Sequence, residues 1–177
     1  MNNKMGKMRF DYRQAVTLVA AVMLFLLYIT IFSFSAQDAE QSGGLSHRIS
    51  ETCVELAEKV SGETWTALVK AQLADLVEHP IRKLAHFAEY CYMGILVFAV
   101  WRPWLQRGNR FYGLVTVWVF LSAAGDEFHQ LFVPGRYGSF KDVMLDTCGG
   151  IAGMALCIGA ENLFLLMKRV ILSLKKL

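Results

Sequence analysis

The sequence predicts an all-α integral membrane protein, a four-helix bundle with two short amphipathic helices in its extracytoplasmic segment. Hydrophobic residues make up 55% of the 177 positions and charged residues only 19%, whereas a soluble domain of this size exposes more charge. The apolar residues are also gathered into long runs, and a run of roughly 18 or more can cross the ~30 Å hydrocarbon core as a helix. These two observations predict a membrane protein.

Four apolar runs are long enough, or nearly long enough, to be transmembrane helices. The predicted spans cover about residues 15–35, 82–101, 111–131 and 142–167 of a single membrane domain that includes residues 1–177. The first run holds no charged residue and is not followed by a small-residue cleavage site, so we expect a retained helix and not a removed signal peptide. The short loops between the later spans require antiparallel neighbours.

The basic residues predict the orientation of the chain in the cell membrane. Most of its 18 lysines and arginines lie before the first span, between the second and third, or after the fourth. They are Lys4, Lys7, Arg9, Arg13, Arg102, Arg107, Arg110, Lys168, Arg169, Lys175 and Lys176. Because such residues near helix ends mark the cytoplasmic side, we expect both termini in the cytoplasm. Topology accounts for these basic clusters, so we expect no nucleic-acid partner.

The extracytoplasmic segment, residues 45–78, is predicted to hold the two amphipathic helices. They begin after the breaker Gly43-Gly44, and the second ends at His79-Pro80, because proline disfavours helical geometry in the residue before it. Such helices can lie on the membrane surface or cap the bundle, and their acidic polar face favours capping. The two apolar stripes consist of Ile49, Cys53, Leu56 and Val60, and of Trp65, Leu68, Val69, Leu73, Leu76 and Val77.

The polar residues of the later spans are predicted to meet at the outer face of the membrane. A rise of ~1.5 Å per residue places three groups of them in the outer third of the bilayer. Ionisable groups in a span usually face the bundle interior and mark a functional site. The candidates are Arg82, Lys83, His86, Glu89 and Tyr90 on the second span, Asp126, Glu127, His129 and Gln130 on the third, Arg136 in the following loop, and Asp142 and Asp146 on the fourth.

Three motifs in these groups resemble the VanZ-like family in order and spacing, across residues 82–153. They are Arg82-Lys83-Leu84-Ala85-His86-Phe87-Ala88-Glu89-Tyr90, then Asp126-Glu127-Phe128-His129-Gln130 with Val133-Pro134-Gly135-Arg136, then Asp142-Val143 with Asp146 and Gly149. Many members of that family carry Asn at the position of Asp146. The family is named for a membrane protein that lowers susceptibility to the glycopeptide teicoplanin in Gram-positive bacteria. The resemblance implies an antibiotic-resistance function in the cell envelope, at the outer face.

One functional interpretation is a binding site, with membrane lipids and a glycopeptide or a lipid-linked cell-wall precursor as partners. Arg82, Lys83 and Arg136 would hold a phosphate or carboxylate of the amphiphile, because charge-assisted hydrogen bonds are strong. The other residues of the binding set are Glu89, Tyr90, Gln130, Asp142 and Asp146. No cofactor is needed for binding, and none is predicted.

A second interpretation is an enzyme acting on a lipid-linked or cell-wall substrate. His86 or His129 would be the general base, with Asp126 or Glu127 as its orienting or acidic partner. In a metal-assisted variant, the two histidines and two carboxylates would suit zinc or manganese, although no metal site is assigned. The third interpretation is an accessory protein in which the polar residues form a structural ion-pair network. The sequence leaves these alternatives open.

Overall fold

The structure, a computed structural model, describes residues 11–175, and the side chains of residues 39–41 are outside the description. Within those bounds the chain has five helices and no strand, which confirms the all-α part of the predicted fold class. The helices are α1 Tyr12–Ser35, α2 Ala39–Ser61, α3 Ala67–Trp101, α4 Asn109–Gln130 and α5 Phe140–Leu174. Four basic residues used to predict orientation, Lys4, Lys7, Arg9 and Lys176, lie outside the described residues.

Three of these helices, α1, α3 and α5, are long and apolar enough to cross a membrane. Both α3 and α5 have 35 residues, or about 52 Å at ~1.5 Å per residue, so each extends well beyond a ~30 Å hydrocarbon core. The helix that covers the predicted third span, α4, is not among the three. Its first turn carries Asn109 and Arg110, and its last turns carry Asp126, Glu127 and His129. Three of the four predicted spans therefore coincide with helices that could cross a membrane, and the third predicted span does not.

The backbones of α3 and α5 approach each other closely at two glycines. A Cβ atom added at Gly94 would overlap the carbonyl oxygen of Gly150, and one added at Gly153 would overlap that of Cys91. Small residues at such spacings let membrane helices pack backbone to backbone without a large apolar side chain between them. This contact fixes the position of α5 along α3, and with it the relative depth of the polar residues on both helices.

One face of α4 is buried along its length and changes from apolar to polar towards its C-terminal end. The face consists of Phe111, Val115, Val119 and Ala123, followed by Asp126, Glu127 and Gln130. Asp126 is 1% exposed and Glu127 7% exposed. Because both continue the stripe that packs in the apolar core, the fold carries two carboxylates into the interior at one end of the bundle.

The first part of α3 and the whole of α2 form an antiparallel helical hairpin, and two predicted helix boundaries are wrong here. Gly43-Gly44 lies inside α2, and Pro80 lies inside α3. Proline removes a helical hydrogen bond to the carbonyl four residues earlier, but Leu76 at that position is 71% exposed, so water can hydrate the carbonyl. The Ser46 hydroxyl also donates to Glu78 at 2.7 Å, which ties α2 to the helix just before the proline.

The face of α2 that packs against α3 is not the predicted apolar stripe. Its buried residues are Ser46, Ser50 and Val54, at four-residue spacing. Ile49 and Val60, which belong to the predicted stripe, are 46% and 81% exposed. Small side chains let the two helices approach closely, so the expectation that the apolar stripe caps the bundle is wrong.

The two ends of the bundle carry different polar contacts. At one end the loop between α3 and α4 reaches the other helices, since Arg102 Nε donates to Glu161 Oε1 at 2.8 Å and Trp104 Nε1 donates to Thr17 at 2.7 Å. At the opposite end the loop between α4 and α5 reaches the C-terminus of α1 through Arg136. The arginine-rich loop and the predicted site therefore lie at opposite ends.

Candidate functional site

A cavity of about 290 Å³, here called the polar cavity, lies at the end of the bundle where α1 and α4 finish and α5 begins. Eight of the twelve predicted site residues line it, namely Arg82, Lys83, His86, Glu127, Gln130, Arg136, Asp142 and Asp146. The remaining lining residues are His79, Gly135, Tyr137 and Leu145. The structure thus brings residues from α3, α4, α5 and the loop between α4 and α5 around one space.

Arg136 is held in this wall by the C-terminal end of α1. Its Nε donates to the carbonyl oxygen of Gln37 at 3.3 Å, and its Nη2 donates to that of Phe34 at 3.2 Å. A cation beside the last carbonyls of a helix is favourable, because those carbonyls form the negative end of the helix dipole. A guanidinium has five N–H donors, and these two contacts leave donors of Arg136 available to a ligand.

Arg82 stands close to Arg136 without an acid in hydrogen-bonding contact. Its nearest ion-pair partner in the described part of the chain is Glu78, at 3.9 Å, which is too far for a hydrogen bond. Burial lowers the pKa of the Arg136 guanidinium, and the charge of Arg82 lowers it further. Arginine nevertheless stays charged in proteins. Two positive charges therefore share one wall, and their neighbour Lys83 is paired with Asp142.

The buried carboxylates behind and beside this wall are incompletely hydrogen-bonded. Glu127 Oε2 accepts the backbone N–H of Ser139 at 2.7 Å, and Asp126 Oδ2 accepts from Gln130 at 3.2 Å. Oδ1 of Asp126 and Oδ1 of Asp146 are buried and have no hydrogen-bond partner in the part of the chain that the structure describes. Leaving a buried polar group unpaired costs about 1–3 kcal/mol, so these two oxygens destabilise the fold unless a water or a ligand pairs with them.

His86 lies on the wall between the arginines and these acids. Its Nδ1 is 3.8 Å from Glu89 Oε2 and makes no hydrogen bond with any described residue. The charges of Asp126 and Arg136 both act on its ring. His86, Asp126 and Arg136, which we expected to share one site, are thus electrostatic neighbours.

Four predicted site residues do not line the polar cavity. Tyr90 is fully buried in the core, and its hydroxyl donates to the carbonyl oxygen of Ser122 at 3.5 Å. His129 packs its ring against Phe32 with the centroids 5.4 Å apart, on the side of α4 that faces α1. Asp126 is buried and does not reach the lining of the polar cavity. Glu89 lines a second cavity, which adjoins the polar cavity. The four predicted catalytic residues are therefore not all on one wall.

His79 is a lining residue that sequence reasoning missed. It lies three and seven residues before Arg82 and His86, the spacing of one helical face. That signal was available, but the expectation that the helix ends at Pro80 separated His79 from the motif that follows. Tyr137 was missed for a different reason, since it follows the motif in an irregular loop and is 86% exposed.

The metal-assisted variant of the enzyme hypothesis gains no support from the geometry. Within residues 11–175, no three side chains of histidine, cysteine, aspartate or glutamate are grouped so that they could hold a metal ion. His86 and His129 are also separated, because only His86 lines the polar cavity. What the arrangement can do is bind a polar group, with guanidinium donors on one side and carboxylate acceptors on the other.

Comparison with known protein families gives one match. The sequence model of a family described as VanZ/LLP1 matches residues 19–166, a range that includes the polar cavity and most of the helices. No curated protein and no solved structure matches the chain.

Proposed function

The chain belongs to the VanZ/LLP1 family, and on that premise we propose that its polar cavity binds the anionic head group of an envelope amphiphile at the outer face of the cell membrane. Through this binding the protein lowers the susceptibility of a Gram-positive cell to lipophilic glycopeptides such as teicoplanin. The observation that carries the proposal is the pair of guanidiniums, Arg82 and Arg136, on one wall of the cavity. Guanidinium groups bind phosphates and carboxylates with two parallel hydrogen bonds.

The size of the cavity supports an envelope lipid over the drug itself as the occupant. Pockets that bury a drug-sized ligand have volumes of about 300–1,000 Å³, and the polar cavity, at about 290 Å³, is at the lower limit. A head group fits there, whereas a whole glycopeptide does not. The drug and the protein would then compete for the same class of lipid, which includes lipid-linked cell-wall precursors.

The unpaired acceptors of the cavity support a head group that also carries hydrogen-bond donors. Asp146 is 1% exposed, lines the polar cavity and has an Oδ1 atom without a partner in the described residues. A hydroxyl or amine of the ligand would satisfy it, as the sugar of a lipid-linked precursor can. A ligand with both an anionic group and a donor would therefore pair with the arginines and with Asp146 together, and a phosphate alone would pair with the arginines.

We also propose that α4 is a fourth membrane span and that both termini are cytoplasmic. The two loops that flank α4 contact opposite ends of the bundle, so α4 runs from one end to the other between spanning neighbours. The loop with Arg102 and Arg107 would be cytoplasmic by the positive-inside rule. The polar cavity would then open to the outer face.

Cysteine labelling tests this topology in intact cells. In a variant without Cys53, cysteines at Thr64 and Tyr137 should react with an impermeant thiol reagent, and cysteines at Gln106 and Ser173 should react only after the cells are permeabilised. All four positions are exposed, so a difference in labelling reports the side of the membrane. Labelling of Gln106 in intact cells would reverse the orientation.

The proposed function is tested by Arg82→Gln. Arg82 makes no hydrogen bond with another described side chain, so the variant should keep its melting temperature within a few degrees. Loss of one charged anchor should weaken head-group binding by about 2 kcal/mol, roughly 30-fold, and teicoplanin tolerance should fall to that of cells without the protein. The measurements are teicoplanin susceptibility and the melting temperature of the purified variant.

The matched control is Arg107→Gln at the opposite end of the bundle. Arg107 donates to Tyr112 at 3.2 Å and to Asn162 at 2.8 Å, so its replacement removes more structural contacts than that of Arg82. The control should lose stability and keep tolerance. Full tolerance in well-folded Arg82→Gln, or equal loss in both variants, would contradict the proposal.

An enzyme acting on the same lipid is the alternative function, and one observation favours it. His86 lines the polar cavity, and its Nδ1 is buried without a partner among the described residues. Such a ring can accept a proton from a bound substrate. In this alternative His86 is the base and Glu127, on the same cavity, is the acid. Conversion of a lipid-linked substrate by the purified protein would distinguish it from binding alone.

A further inference from the structure

A second cavity adjoins the polar cavity, between the end of α1, the start of α2 and α3. It has a volume of about 210 Å³ and is here called the α2 groove. Three residues, Arg82, His86 and Arg136, line both spaces. The two guanidiniums that we propose as the head-group anchor therefore stand at the boundary between a polar space and the α2 groove.

The remaining lining of the α2 groove is mainly apolar. Phe34 comes from the end of α1, Leu45 and Ile49 come from α2, and Ile81 and Ala85 come from α3. Leu45 and Ile49 are each 46% exposed, so much of their apolar surface remains accessible and is not covered by α3. Four polar residues, Gln37, Ser42, Ser46 and Glu89, also line the groove, and the hydroxyl of Ser46 donates to Glu78. An apolar surface next to two cations is the arrangement that an anionic amphiphile needs.

We propose that the α2 groove holds one alkyl chain of the lipid whose head group lies in the polar cavity. This inference rests on the proposed function and narrows its ligand to an anionic lipid that extends a chain past Arg82 and Arg136. It also gives a reason for the face that α2 presents. The small residues Ser46 and Ser50 bring α2 close to α3. The apolar side chains beside them, Leu45 and Ile49, then remain available to contact the alkyl chain.

Alkyl phosphates test the inference on the purified protein in digitonin micelles, which carry no alkyl chain to occupy the groove. Dodecyl phosphate supplies head and chain, ethyl phosphate supplies the head, and dodecanol supplies the chain. Ligand-dependent rises in melting temperature give the dissociation constants, because a ligand that binds the folded state stabilises it. Each buried methylene strengthens binding about fourfold, so dodecyl phosphate should bind at least about tenfold more tightly than ethyl phosphate.

Two alanines on α3 provide a matched pair of variants. Ala85 lines the α2 groove, whereas Ala88, three residues later, lines neither cavity, and both are exposed. Ala85→Phe should fill the groove and reduce dodecyl phosphate binding about tenfold, with ethyl phosphate binding unchanged. Ala88→Phe should bind both phosphates as the unaltered protein does. Arg82→Gln should weaken the binding of both phosphates.

The outcomes separate the inference from the function on which it rests. If Ala85→Phe binds dodecyl phosphate normally while Arg82→Gln does not, the proposed head-group site is supported, but the alkyl chain does not lie in the α2 groove. If neither variant alters binding of either phosphate, both proposals fail. If Ala85→Phe and Ala88→Phe lose dodecyl phosphate equally, the effect is unfolding or micelle partitioning, and the groove assignment is overturned.

Discussion

Replacement of Gly153 by leucine should leave little or no folded protein in the membrane. A Cβ atom at this position would overlap the carbonyl oxygen of Cys91, and the backbone nitrogen of Ile95 is also within 3.2 Å. These are backbone atoms of the long helix α3, so they cannot move aside as a flexible side chain can. Inserting side-chain volume into a packed core costs about 1–3 kcal/mol, occasionally more, and a leucine here must separate α3 from α5 along their whole contact.

Gly159→Leu is the control for this prediction. It lies six residues later on α5, and nothing is within 4 Å of an added Cβ atom. Both variants improve helix propensity equally, so any difference between them reports the α3–α5 contact. The measurement is the amount of monodisperse protein after extraction, together with its melting temperature. Normal yield and stability of Gly153→Leu would mean that α3 and α5 are not packed as the structure has them.

The helix ends that differ from prediction have a common physical cause. The rule that a helix stops before proline describes the cost within one segment, and Gly43-Gly44 costs roughly 1 kcal/mol per glycine relative to alanine. Neither cost is decisive when a neighbouring helix offsets it. The bond from Ser46 to Glu78 and the packing of α2 on α3 act across the two segments. Rules for helix ends that consider one segment of sequence at a time cannot include the stabilisation that comes from the packing of α2 on α3.

The packed face of α2 could not be predicted from hydrophobic periodicity alone. Periodicity finds the apolar stripe, but it does not show which face of a helix meets its neighbour. Close approach through small residues decides instead, and Ser46, Ser50 and Val54 supply it. A search for small residues at four-residue spacing would have found this face.

The sequence predicted correctly that the candidate residues lie at a common level along the bundle, but it predicted the directions of their side chains only in part. Helical rise correctly brought residues of α3, α4 and α5 to one level, since eight of the predicted residues line one cavity. Rise does not tell which way a side chain points. On α4 the stripe from Phe111 to Ala123 continues into Glu127 and Gln130. By the helical period of 3.6, His129 lies about 100° from Gln130 and about 160° from Glu127 around the helix axis. That difference separates His129 from the cavity.

Asp146→Leu should raise the melting temperature and at the same time abolish teicoplanin tolerance. Asp146 is 1% exposed, its Oδ1 has no hydrogen-bond partner, and it forms no ion pair within residues 11–175. Leucine has a similar branched shape. Replacing a buried carboxyl group that has an unpaired oxygen by an apolar side chain of similar volume should stabilise the fold, because an unpaired buried polar group costs about 1–3 kcal/mol. In the proposed function, Asp146 is kept because it accepts a donor of the ligand, so its removal trades activity for stability.

The sign of the change in stability distinguishes a ligand-binding role of Asp146 from a structural role. If Asp146 were a structural residue whose interactions stabilise the fold, its removal should lower the melting temperature, and tolerance would fall with the protein level. Asp142→Leu, one turn earlier, provides the contrast. Asp142 is paired with Lys83, and both side chains are about one-third exposed, so its loss should lower stability by at most about 1 kcal/mol. A lower melting temperature for Asp146→Leu than for Asp142→Leu would mean that Asp146 has a structural role. Full teicoplanin tolerance in a stabilised Asp146→Leu protein would mean that Asp146 does not bind the ligand.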